Sequence, residues 1–167
     1  LLNSLVENYE ITLVLEKKQG LFLNDLNPKI KVIEYTPSNN KIVILRKIVN
    51  FTKQLIFKLK YKNKFNFSCS YATYSNPDAF VARNASKNSA LWCHLDYLSF
   101  FNNDEEKLKK FFEEKQYQNF RKIIFVSKRS RENFLKVFPE IKEKTICINN
   151  LIDYKKILAN SNDKIEE

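Results

Sequence analysis

RKIIFVSKRSRENFLKVFPEIKEKTICI, Arg121 to Ile148, decides the fold. Arg121–Val126 is a short β-branched and apolar run, the composition of a buried strand. Ser127 then sits where an N-cap belongs, and a helix is predicted to run from it to Phe138, stopped by Pro139. Lys144–Ile148 (KTICI) returns to strand composition. A strand, a helix of about ten residues and a second strand make a β-α-β unit, whose strands must be parallel.

The same alternation extends back to the start. Strands are predicted at Tyr9–Leu15, Ile30–Tyr35, Phe65–Tyr71 and Ala90–Cys93. Leu1–Val6 carries the one-sided stripe of a helix end, and a brief helix is expected at Leu21–Leu26. Longer helices are expected at Asn40–Tyr61, from Ser75 to Ser86 with Pro77 in the first turn, and at Asp104–Gln118 behind an acidic N-terminus. Short apolar strands separated by helices predict an α/β fold: a doubly wound, mainly parallel sheet with helices on both faces. In such sheets ligands sit at the carboxyl ends of the strands. The segments after Tyr71, Cys93 and Val126 are therefore where chemistry is expected.

Composition agrees. The 167 residues suffice for one core, and 14 Phe with 8 Tyr supply material for it. A single glycine, Gly20, argues against a hairpin-rich β fold and leaves no glycine-rich phosphate loop. No apolar run approaches the roughly 20 residues of a membrane span, and no signal peptide is visible. The chain opens at Leu1 without methionine and is expected to begin inside a longer polypeptide. Cys69, Cys93 and Cys147 are widely spaced, with no C-x-x-C pair; they read as inert core thiols in a reducing compartment, and no metal site is expected.

Lys and Arg outnumber Asp and Glu by 29 to 19, a net charge of +10 that suits an anionic partner. The excess is local, since no carboxylate occurs from Tyr35 to Pro77. On a helical wheel of Asn40–Tyr61, Ile44, Ile48, Phe51, Leu55, Ile56 and Leu59 gather on one side. Arg46, Lys47, Asn50, Lys53, Gln54 and Lys58 gather on the other. One reading is a core helix with a solvated cationic back. The other is a contact with an anionic membrane surface through Arg46, Lys53, Phe57 and Lys58, because Phe57 falls on the basic side of the wheel. A basic module for nucleic acid is a further alternative, without an accompanying recognition motif.

His94 is the only histidine and follows the strand ALWC directly. There it can hydrogen-bond a sugar hydroxyl or a phosphate. Asp96 can orient it, bind a hydroxyl or cap a turn. No G-x-S-x-G elbow supports a catalytic triad, and no residue is assigned a catalytic role.

Four stretches in order, LLNSLVENYEITLVL, LWCHLDYLSF, Arg121–Ile148 and INNLID, resemble the N-terminal, acceptor-side domain of the family 4 glycosyltransferases, enzymes of two-domain GT-B architecture. The resemblance places this domain at residues 1–148, lacking its first strand and glycine-rich loop, and the hinge to a second domain at 149–167, with Asn150 and Asp153. It implies transfer of a sugar from a nucleotide-diphosphate donor to a hydroxyl acceptor, with retention and without metal, in bacterial surface polysaccharide or glycolipid synthesis. His94 and Asp96 would then bind substrate, and the donor would sit mainly in the absent domain, so that this chain alone should not turn over. The cationic side of the 40–61 helix is expected to hold such a cytoplasmic enzyme at the inner face of the cell membrane, beside a lipid-linked acceptor. An inactive scaffold with enzyme relatives is the remaining alternative.

Overall fold

The computed structural model describes residues 2–73, 75–151, 157–158 and 161. A one-turn helix α1 (Leu2–Leu5) precedes β1 (Thr12–Leu15), and β2 (Lys31–Glu34) leads to the long helix α2 (Val43–Tyr61). Then follow β3 (Ser68–Ser70), α3 (Asn76–Ala85), β4 (Ser89–Cys93), α4 (Tyr97–Phe100), α5 (Glu105–Glu114), β5 (Lys122–Phe125), α6 (Lys128–Val137) and β6 (Thr145–Cys147). The fold is α/β and Rossmann-like, as expected: every described strand pairing is parallel. β1 and β2 form a two-stranded sheet, and β3-β4-β5-β6 a second sheet in chain order.

Local chemistry explains the helix starts. Ser75, Asp96, Asp104 and Ser127 each accept a hydrogen bond from the backbone N–H three residues on, so that four helices begin on capped ends. Ser127 caps α6 as expected. Apart from β4, which gains Ser89, the strands are shorter than their apolar runs, because a ladder extends only where a neighbour is in register. Of Phe65–Tyr71, only Ser68–Ser70 pairs with β4. Helix α4 was not anticipated; the Asp96 cap makes it.

Side chains alternate across each strand. Leu91 and Cys93 of β4, with Ile123 and Phe125 of β5, face a core built with Phe112 of α5 and Phe134 of α6, all of them buried. Phe112 and Phe134 meet edge to face at 4.7 Å between ring centres. A smaller cluster joins Phe57 of α2, Phe80 and Ala85 of α3, and Tyr35 just past β2.

That second cluster corrects the wheel reading of α2. Phe57, expected on an exposed basic side, is 4% exposed and packs against Tyr35, Tyr61 and Phe80. Ile44 and Leu59, on the side expected to face the core, are 71% and 74% exposed. The cause lies in what the neighbouring segments offer. Residues 35–38 present an aromatic ring and unpaired backbone groups rather than an aliphatic bed. Phe57 takes the ring, Asn50 accepts from the Ser38 N–H at 2.6 Å, and Lys53 Nζ donates to the Thr36 carbonyl at 2.7 Å. α2 docks through its aromatic and polar side and turns its aliphatic side outward.

Candidate functional site

The carboxyl ends of β3 and β4 carry the densest chemistry of the described structure. Tyr71 continues β3 and lies beside Trp92 of β4, ring centres 5.3 Å apart. His94 directly follows β4, two residues on from Trp92, and extended alternation returns it to the face of Trp92. Its ring stacks on Trp92 at 6.0 Å and tilts against Tyr71 at 4.6 Å. Tyr71 is half exposed and forms the open side of this cluster. Among the described residues, three buried side-chain atoms lack a hydrogen-bond partner: Ser70 Oγ, Trp92 Nε1 and His94 Nε2. All three belong to these strand ends, although buried polar atoms in native folds are nearly always paired.

Thr73 holds the loop in place. It is fully buried, and its hydroxyl donates to the Trp92 carbonyl at 2.6 Å and faces Cys93 Sγ at 3.9 Å. Its φ is 55°, a left-handed conformation that a β-branched residue adopts at a cost of roughly 1–3 kcal/mol. Strain of this kind persists where surrounding structure enforces it. Tyr97 Oη adds a bond to the Ala72 carbonyl at 3.5 Å.

Asp96 is placed by capping. Its carboxylate accepts from the Ser99 N–H at 3.3 Å, the Ser99 hydroxyl at 2.9 Å and Asn133 Nδ2 at 2.7 Å, with Arg129 Nε at 3.9 Å. These bonds tie α4 to α6; none reaches His94. Of the three sequence readings for Asp96, the cap is the one the geometry fills, and His94 takes its orientation from the two aromatic rings. Asn150, assigned to the hinge, is exposed, while Asp153 lies outside the described residues.

On α2, Arg46 is exposed, Lys53 is tied to Thr36, and Lys58 Nζ stands 5.6 Å over the Phe80 ring. The four residues assigned to a membrane contact therefore do not share one open face. Among the described residues no cluster of three His, Cys, Asp or Glu could hold a metal, and no helix is long and apolar enough to cross a membrane. A depression of about 540 Å³ at the amino ends of β1 and β2, walled by Val6, Tyr9, Lys29 and Lys31, lies away from the histidine cluster.

Two groups escaped the sequence reading. Thr73 carries no local signal. Lys115, at the end of α5, is buried with its Nζ donating to Asn76 Oδ1 at 3.3 Å and to the Phe111 carbonyl at 3.4 Å, 3.3 Å from the centre of the Phe111 ring. Burial lowers its pKa to about 8. Burial likewise pushes the Cys69 and Cys93 thiols up to about 12, which keeps them protonated and poorly nucleophilic.

Fold and site define a Rossmann-like α/β domain with an aromatic histidine cluster at its strand ends. No protein-family model and no curated protein matches the chain.

Proposed function

We propose that the chain is the acceptor-side domain of a sugar transferase, one that moves a sugar from a nucleotide-diphosphate donor to a hydroxyl acceptor. One observation carries the reading. The histidine of the LWCHLDYLSF segment stands at the carboxyl end of a central parallel strand, bracketed by Trp92 and the half-exposed Tyr71. Aromatic rings suit the C–H faces of a sugar, and an imidazole suits its hydroxyls. In this reading His94 binds the sugar, Tyr71 forms the entrance, and Asp96 positions the loop through α4. Donor diphosphate binding belongs to a second domain beyond Asn150. Retention without metal, and bacterial polysaccharide or glycolipid synthesis, rest on the sequence resemblance.

Saturation-transfer NMR of the chain with methyl glucoside, N-acetylglucosamine and UDP-glucose tests this. Transfer to sugar protons is expected, and His94→Ala should weaken it about tenfold, the worth of a hydrogen bond or two, while the melting temperature stays near wild type. Transfer to none of the three sugars, or transfer unchanged by His94→Ala, refutes the proposal.

A further inference from the structure

The outward side of α2 is unlike the rest of the surface. Ile44, Ile48, Phe51, Leu55 and Leu59 are between 49% and 74% exposed. At about 100° per residue, these side chains and their aliphatic neighbours fill an outward arc of about 160°. From Ile44 to Leu59 the strip runs about 23 Å along the 19-residue helix. A folded chain seldom leaves so large a continuous apolar strip to water.

Cations border this strip on both sides. Lys47 flanks one edge and Lys60 the other; both are exposed, and neither is ion-paired within the described residues. No carboxylate occurs between Glu34 and Asp78 to neutralise them. The inner side of the helix is already committed, through Phe57, Asn50 and Lys53, to the rest of the fold.

We infer that α2 is an in-plane docking helix for an anionic lipid surface. The aliphatic strip enters the boundary between headgroups and acyl chains, and the bordering cations meet the lipid phosphates. Charge complementarity selects this occupant. A second copy apposing the same strip would set cationic border against cationic border, with no acid on the helix to answer either. Lipid phosphates answer the cations on both borders at once, and helices of this pattern bind membrane interfaces. The contact is independent of the sugar chemistry and uses residues opposite Phe57.

Co-sedimentation of the full chain with vesicles tests it, comparing phosphatidylcholine alone with phosphatidylcholine containing about one third phosphatidylglycerol. Binding to the anionic vesicles is expected at low salt, with weakening as salt screens the cations over roughly 8 Å at physiological strength. Lys47→Gln with Lys60→Gln should lower partitioning about 30-fold, at about 1 kcal/mol per cation. Ile48→Ser with Leu59→Ser should abolish binding at every salt concentration; both side chains are exposed, so thermal melting should stay near wild type. Binding unaffected by the serine pair refutes the inference. So does a wild-type chain that stays in the supernatant at low salt, including one that gel filtration finds dimeric through this strip.

Discussion

Replacing Phe57 by alanine removes the one buried side chain of α2 and the centre of the smaller cluster. Phe57 has ring neighbours at 5.4 Å (Tyr35), 5.2 Å (Tyr61) and 5.8 Å (Phe80), two of them edge to face. Truncating a buried phenylalanine typically costs 3–5 kcal/mol, from lost transfer energy and the cavity left behind. Phe57 is 4% exposed and three aromatic rings surround it, so about 4 kcal/mol is expected. In a chain of 167 residues that lowers the melting temperature by roughly 8–16 °C. Leu55→Ala is the paired experiment. Leu55 is 49% exposed, and its truncation should change stability by no more than about 0.5 kcal/mol. Urea unfolding followed by circular dichroism, with equal slopes required of both variants, measures each value. If Leu55→Ala proves the costly substitution and Phe57→Ala stays below about 1 kcal/mol, α2 packs through its aliphatic side, and the docking strip disappears with the reasoning behind it.

Asp96→Ala should lower stability by about 2 kcal/mol, from a lost N-cap and a lost bond to Asn133; Asp96→Asn, which can still cap, should lose less. An unchanged urea midpoint for Asp96→Ala would refute the capping role. Lys115 has a pKa depressed by burial from 10.5 to about 8, so in that interval the unfolded chain holds a proton the folded chain has released. Stability gained through this group therefore rises as pH climbs from about 8 toward 10.5, and is absent below. The difference in urea stability between wild type and Lys115→Met should move in favour of wild type between pH 7.5 and 9.5; a difference independent of pH over that range refutes the assignment.

The β-α alternation was legible because its signals are local. Ser127, Phe138 and Pro139 mark the start and stop of α6 within a dozen residues, and caps act on the backbone next to them. What failed was information held by distant neighbours. A helical wheel tells which side of α2 is aliphatic; which side is buried depends on Tyr35 and Phe80, far along the chain in either direction. The site divides the same way. His94 was legible as a residue at a strand's carboxyl end. Tyr71 and Thr73 join it only because Ser70 pairs with Leu91, a register that no property of residues 65–74 announces. Lys115 looked like one more charge at the end of a charged helix, and only the packing of α3 beside it makes it a buried cation.

The two-residue period of β4 has an evolutionary consequence. Leu91 and Cys93 belong to the core, and Trp92 and His94 to the aromatic cluster, so neighbouring positions meet different packing demands. If the cluster binds sugar as proposed, a lineage could exchange the residues at 92 and 94, and with them what the cluster recognises, while 91 and 93 keep the sheet folded. Drift at the odd positions would be purged for loss of stability whatever the ligand. On the proposed sugar-binding reading, drift at the even ones would be filtered by the ligand as well as by ring packing with Tyr71, and one strand could thus acquire new specificities on an unchanging scaffold.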